Sequence, residues 1–202
     1  AAKKLFFNSI KNKKHVVTAN KSLMSKYGDK LAFLAEKNKV NIEYEAAVAG
    51  GVPIIRTLKE GLIANKTRKI YGILNGTSNF ILSNMDRTNL NFNDVLNNAK
   101  MLGYAESNPK SDLNGDDVKS KIQILSALAF NCFINKKNIN VEGINFIDKI
   151  DIKNANILGY KIKHLGLSEI VKGRLIQRVY PCLINKESRL SNVNGVLNAV
   201  II

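Results

Sequence analysis

The sequence predicts an α/β protein, and three observations carry that reading. Residues 15–48 run strand, helix, strand: HVVTA, then an amphipathic stretch from Leu23 to Ala35, then NIEYEAAV. Val118, Ile122, Leu125, Ala129 and Phe133, with Leu128 beside them, recur at helical spacing and mark a second, strongly apolar helix. GYKIKHLGLSEI and GRLIQRVYPCLI read as two long β segments joined by a turn at Lys172-Gly173.

In chain order, the first residues read as the end of a helix that leads into the strand HVVTA. Asn20 is placed to cap the following helix, whose stripe is Leu23, Met24, Tyr27, Leu31, Leu34 and Ala35. Gly28 interrupts that stripe. NIEYEAAV then reads as a buried strand, so the opening looks like the last turn of a doubly wound, Rossmann-like nucleotide-binding sheet. The glycine turn that normally starts such a sheet, Gly-x-Gly-x-x-Gly, is absent from these 202 residues. EAAVAGGVP ends the strand in a glycine-rich turn, and Pro53 suits the first position of the helix IIRTLKEGL. TRKIYGILNG reads as a strand. Gly76, Thr77, Ser78 and Asn79 then open a helix, where hydroxyls and free N–H groups suit either a cap or a bound carboxylate. FNDVLNNAKMLG is a helix on Phe92, Val95, Leu96, Ala99 and Leu102, stopped by Gly103. A short helical piece falls at 153–159.

Between the helices lies LGYAESNPKSDLNGDDVKSK, residues 102–121. It gathers Glu106, Asp112, Asp116, Asp117 and Lys121 into one loop and a helix start, with Asn114 or Asp116 as the expected N-cap. Asp117 and Lys121 stand four apart and share a helix face. An exposed salt bridge would satisfy that spacing. A site that reduces a carbonyl would use it differently, since it needs a proton donor near the oxygen and carboxylates for a cationic substrate group.

These residues resemble a known family. GYAE followed by DLNGDDVKSK resembles the catalytic signature of homoserine dehydrogenases. HVVTANK at 15–21, EAAVAGGVPIIRTLKEGL at 45–62, GILNGTSNFIL at 72–82, EGI at 142–144, LGYKIK at 158–163 and GVLNAV at 195–200 match the same family in the same order. Ordered blocks over nearly the whole chain are far more specific than one short motif. The resemblance implies an NAD(P)-dependent oxidoreductase that interconverts L-aspartate 4-semialdehyde and L-homoserine, in the biosynthesis of threonine, methionine and isoleucine. It implies NADP(H) or NAD(H) as cofactor and a homodimer or higher oligomer. It makes Lys121 the proton donor, with Lys21 near the nicotinamide and the same oxygen, and Asp117 holding the Lys121 ammonium. Glu106 takes the substrate ammonium, and Tyr104 and Asp112 shape that wall. A monovalent cation, Na+ or K+, sits on carbonyl oxygens of Glu45, Val48, Gly50 and Val52. The nicotinamide end meets Thr18, Ala19 and Lys21, at the carboxyl edge of the first strand pair. Within the acidic loop, Ser107, Asn108 and the extra acid Asp116 depart from the family's pattern at turn positions.

The expected architecture is therefore residues 1–45 as the tail of a nucleotide-binding domain and 46–202 as an α+β catalytic and dimerisation domain. In the latter a mixed sheet is covered on one face by helices, with the other face open to a second subunit. The missing glycine turn leaves a competing reading, a truncated, catalytically inactive binding or dimerisation module of the same family. Other classes fit less well. The formal net charge is +15, but Lys is dispersed through every segment and Asn is equally frequent, which argues against a nucleic-acid stripe. Apolar runs are too short for a membrane helix, and the basic start lacks the apolar core of a signal peptide. Cys132 and Cys182 form no Cys-x-x-Cys pair, so neither a disulfide scaffold nor a zinc site is expected, and a cytoplasmic setting fits. His164, alone on an alternating strand, reads as a packed or solvated side chain, and His15, before a strand, has no partner in view.

Overall fold

A computed structural model describes residues 2–134 and 139–202. The opening unit is α1 (Ala2–Lys11), β1 (Val16–Val17), α2 (Lys21–Asn38) and β2 (Ile42–Glu43). β1 and β2 pair in parallel, Val16 opposite Ile42, with α2 crossing between them. Asn20 caps α2 as expected, its side chain accepting the Leu23 N–H at 2.9 Å. Leu23, Met24, Leu31 and Ala35 are buried on one face.

The expected long second strand is shorter than its apolar run. Pairing stops at Glu43, and Glu45–Ala47 form a 3-10 turn. The cause is Glu45, whose carboxylate oxygens accept the N–H groups of Ile55 and Arg56 at 2.8 and 2.9 Å. The backbone turns to deliver that cap. Pro53 is the residue before the helix rather than inside it, and α3 (Ile54–Arg56) widens into a π turn over Thr57–Gly61.

The second unit is built on a five-stranded mixed sheet of order β4-β6-β5-β3-β7: β3 (Lys69–Ile73), β4 (Ile139–Val141), β5 (Tyr160–Val171), β6 (Arg174–Asn185) and β7 (Ala199–Ile201). β5 and β6 form the expected hairpin in continuous register from Tyr160↔Asn185 to Val171↔Arg174. Its turn residues Lys172 and Gly173 both have positive φ, 49° and 77°, the geometry that matches strand twist. β3 is antiparallel to β5 and β7, while β4 joins β6 in parallel.

The helices are α4 (Gly76–Thr88), α5 (Phe92–Met101), α6 (Lys110–Leu113), α7 (Asp116–Ala129) and α8 (Lys149–Ile157). α7 lies on the sheet with Val118, Ile122 and Leu125 wholly buried. Gly166 of β5 permits this approach, since a Cβ there would stand 2.9 Å from Val118 Cγ1. One apolar cluster runs from Leu23 and Leu31 of α2 through Ile122 and Leu125 to Val179 of β6, so both units share a core.

Three further expectations are corrected. The residue before α7 is Gly115 (φ 86°), not Asn114 or Asp116, because the chain must turn left-handed beneath Val141 and Val179. α7 ends at Ala129, so Cys132 and Phe133 lie beyond it, and Phe133 is exposed. The last helix begins earlier than 153, at a capping box in which Asp148 accepts Ile150 and Asp151 N–H groups.

Candidate active site

The site is assembled where β3 ends and three helices begin. β3 runs out through Leu74 to Asn75, which caps α4 by accepting the Ser78 N–H on Oδ1 at 2.7 Å. α7 starts alongside, and its first turn buries Asp117 to 2% exposure. α2 begins at Lys21, at the carboxyl end of β1.

Asp117 is the hub. Its Oδ2 accepts Lys121 Nζ at 2.8 Å and Asn75 Nδ2 at 2.9 Å, and its Oδ1 is paired with the Lys21 ammonium. Lys121 also donates to the Leu74 carbonyl at 2.7 Å. Asn75 Nδ2 donates in addition to Asp112 Oδ1 at 2.8 Å. The spacing of Asp117 and Lys121 thus produces a pair far from the exposed salt bridge it could have been, with Lys121 only 14% exposed.

The two carboxylates are driven apart. Burial raises the Asp117 carboxyl, but Lys121, the Asn75 amide and Lys21 outweigh it and hold the group below its ordinary value. For Asp112 burial is not overcome. Asn75 and the two lysines draw it down, Asp117 pushes it up, and it titrates above its ordinary value. One group stays charged while its neighbour holds a proton more readily, the pattern that separates roles in acid–base sites.

Lys21, Asp117, Lys121 and Asp112, four of the residues singled out in the sequence, are thus brought together here. Thr18 lies beside Lys21 and accepts the Asn20 N–H on its hydroxyl at 3.0 Å, and Ala19 is exposed at the same edge. Tyr104 is tied to the site through its carbonyl, which accepts the Thr77 hydroxyl at 2.7 Å, and its ring lies 5.0 Å from Phe80. Glu106 stands in solvent two residues on, without a hydrogen bond or ion pair among the described residues.

The start of α4 differs from its expected character. Ser78 and Asn79 are fully buried. The Ser78 hydroxyl donates to the Asn75 carbonyl at 3.3 Å, and the Asn79 amide to Val193 and Leu197 carbonyls at 3.1 Å each. The Ser78 side chain thus turns back onto its own cap residue, and the Asn79 side chain holds the 193–197 segment.

Two residues escaped the sequence reading. Asn75 was visible only as a residue before a helix. Lys163 of β5 is 1% exposed and donates to Asn79 Oδ1, Ser83 Oγ, Val193 O and Asn194 Oδ1 at 2.7–3.3 Å. Burial pulls its ammonium down to about 8, with Lys161 adding to the effect and Asp86 opposing it. Alternation along β5 gave no sign that a lysine would point inward.

The four carbonyls expected to hold a cation lie in one irregular turn, bent by Ala49 and Gly51 at positive φ. Glu45 and Val52 carbonyls each already accept a backbone N–H, from Val48 and Ile54, at 3.3 and 2.8 Å. Among the described residues no group of three or more His, Cys, Asp or Glu could hold a metal ion. No described helix is long and apolar enough to cross a membrane. Cys132 and Cys182 are free thiols. His164 is buried with Nε2 2.9 Å from the Glu142 carbonyl, the packed side chain expected, whereas His15 has a partner the sequence did not show, its Nδ1 accepting the Asn41 N–H.

The sequence and the fold both match known proteins. Residues 53–202 match the homoserine dehydrogenase family model, and residues 1–45 match the homoserine dehydrogenase NAD-binding domain. The chain is 50% identical over 199 residues to a homoserine dehydrogenase of Neisseria gonorrhoeae, covering 98% of this chain and 46% of that protein. It is 43% identical over 201 residues to that of Pseudomonas aeruginosa, again covering 46% of the relative. Among solved structures, a homoserine dehydrogenase from Thiobacillus denitrificans superposes with a TM-score of 0.96 at 45% identity, over 98% of this chain and 46% of that one. A hyperthermophilic archaeal homoserine dehydrogenase in complex with NADPH matches with a TM-score of 0.83 at 27% identity, over 98% and 57%. The chain spans about half the length of the curated relatives it matches.

Proposed function

Since the chain belongs to the homoserine dehydrogenase family, we propose that it supplies the catalytic half of an NAD(P)H-dependent reduction of L-aspartate 4-semialdehyde to L-homoserine, and of the reverse oxidation. One observation carries the proposal: the ammonium groups of Lys21 and Lys121 meet on the buried carboxylate of Asp117. A substrate carbonyl oxygen placed against them finds two cationic donors held from two different elements.

The nicotinamide, when bound, supplies hydride to the aldehyde carbon. The edge at Thr18, Ala19 and Lys21 suits its reactive end, because it is the open carboxyl end of a parallel strand pair beside Lys21. Lys121 then gives a proton to the developing alkoxide. Asp117 keeps both lysines aimed and balances their charge, and the Leu74 carbonyl fixes the Lys121 rotamer. Tyr104 and Asp112 wall the substrate side, and Glu106, free in solvent, receives the substrate ammonium. The acidic groups suit the cationic end of a zwitterion.

Three finer assignments accompany this reading. Residues 1–45 act with the nucleotide-binding half and 46–202 as the catalytic and dimerisation half. Two copies pair through the sheet face opposite the helices. The turn at Glu45, Val48, Gly50 and Val52 can lend carbonyl oxygens to Na+ or K+, since the Glu45 and Val52 oxygens each keep a lone pair beyond their backbone bond. The Glu45 carboxylate is spent on capping α3 and contributes only at a distance.

The test joins this chain to the remaining residues of the Neisseria relative and follows NADPH absorbance with L-aspartate 4-semialdehyde. Substrate-dependent oxidation of NADPH is expected from the chimera. The 202-residue polypeptide alone, which lacks a Gly-x-Gly-x-x-Gly turn, is expected to show none. A folded chimera that binds NADPH without turning over semialdehyde would overturn the proposal and favour a binding module.

A further inference from the structure

Outside the residues already assigned, the side chain with the most specific placement in the site is Asn75. It is 4% exposed and uses its whole amide. One face of Nδ2 serves Asp112 at 2.8 Å and the other Asp117 at 2.9 Å, while Oδ1 accepts the Ser78 N–H at 2.7 Å. The amide cannot be turned over. Doing so would set its oxygen against two carboxylate oxygens and its NH₂ against a backbone N–H. A plain helix cap needs only the oxygen. The two donations to carboxylates from different helices are surplus to capping.

We propose that Asn75 is a positioning residue for proton transfer, whose amide holds the carboxylates of Asp112 and Asp117 apart and sets the charge each carries when Lys121 works. The inference rests on the functional reading above. The charged groups around it are Lys21 from α2, Asp112 from α6, and Asp117 and Lys121 from α7. The start of α4 presents only Thr77 and Ser78. Within this set Asn75 is the one neutral donor that touches both carboxylates, so it favours the ionised form of each. With that donation in place, Asp117 stays an anion and keeps both ammonium groups on it. Without it, a proton enters the Asp112–Asp117 pair at higher pH, and the grip on Lys121 loosens there.

Asn75→Asp separates this role from capping. An aspartate caps a helix as well as an asparagine does, so the Ser78 bond survives, but the donors to both carboxylates vanish. Two readouts are taken on the chimera with the Neisseria relative. The first is carboxyl titration by carbon-13 NMR, which needs no catalysis. The second is the pH profile of kcat/KM. Asn75→Asp is expected to raise the apparent titration of the Asp112–Asp117 pair, and the acidic limb of the profile, by about one pH unit or more. The neutral-pH rate should fall by roughly tenfold or more, the size of losing a hydrogen bond to a charged group. Asn75→Ser, which keeps a cap oxygen, offers one donor and adds no third carboxylate, should still shift both part of the way; full recovery would assign the Asn75→Asp shift to its added charge and overturn the proposal. An unshifted titration and limb in folded Asn75→Asp would reduce Asn75 to a cap and overturn the proposal. An inactive wild-type chimera would instead refute the functional reading, and the carboxyl titration would still decide the role of Asn75.

Discussion

Replacing Asp117 by alanine removes the hub and should cost stability as well as activity. The carboxylate is 2% exposed and holds Lys21, Lys121 and Asn75 at once. Breaking a buried pair by deleting one partner typically costs about 3–5 kcal/mol, because the other charge stays behind unpaired. Here the burden is lighter on one side. Lys21 is 39% exposed and can swing into water, whereas Lys121 is 14% exposed and keeps only the Leu74 carbonyl. The lower end of the range, about 3 kcal/mol, is therefore expected, which for a chain of this size is a Tm loss of roughly 6–12 °C. Thermal unfolding followed by circular dichroism measures it. The loss should also depend on pH. Asp117 titrates below its ordinary value in the folded state, so its contribution is present in full above the unfolded value of 3.8 and disappears as pH falls through the folded one. The gap between wild type and variant should therefore close in acid. A Tm change under about 2 °C at neutral pH, or a gap that widens in acid, would refute the picture of a charged, buried hub.

Two other substitutions probe the surroundings. Lys163→Met keeps volume but removes a buried ammonium that titrates near 8 in the fold against 10.5 when free, so the stability advantage of wild type over the variant should grow as pH rises from about 8 to 10.5 in chemical denaturation. A flat or falling difference would mean that Lys163 is not charged and buried as described. Glu106→Gln should weaken homoserine binding by roughly tenfold, the loss of one hydrogen bond to a charged group, while calorimetry shows NADPH binding unchanged. Unaltered homoserine affinity would remove Glu106 from the substrate site.

Much of this was legible in the sequence, for identifiable reasons. The β5–β6 hairpin was readable because Lys172-Gly173 is turn chemistry between two β-rich runs, and α2 because Asn20 and its apolar stripe agree. The Asp117–Lys121 pair followed from helical spacing, whereas the Lys21–Asp117 pair did not, because the family blocks placed Lys21 only near the nicotinamide and the substrate oxygen. What escaped was set by long-range contacts. The second strand was cut short by Glu45 reaching ten residues ahead to cap α3. Gly115 rather than Asn114 or Asp116 precedes α7, because the chain turns left-handed there against Val141 of β4 and Val179 of β6. Asn75 and Lys163 are polar residues whose partners lie 30 to 84 positions away, and no local pattern announces them.

The proposed role of Lys121, delivering the proton from its seat on Asp117, is tested most directly by kcat for NADPH-dependent reduction of L-aspartate 4-semialdehyde by the chimera, wild type against Lys121→Ala. A fall of ~10²–10⁴-fold is expected in a folded protein that still binds NADPH. A loss of less than about tenfold would contradict it, and would leave Lys121 as a structural partner of Asp117 alone.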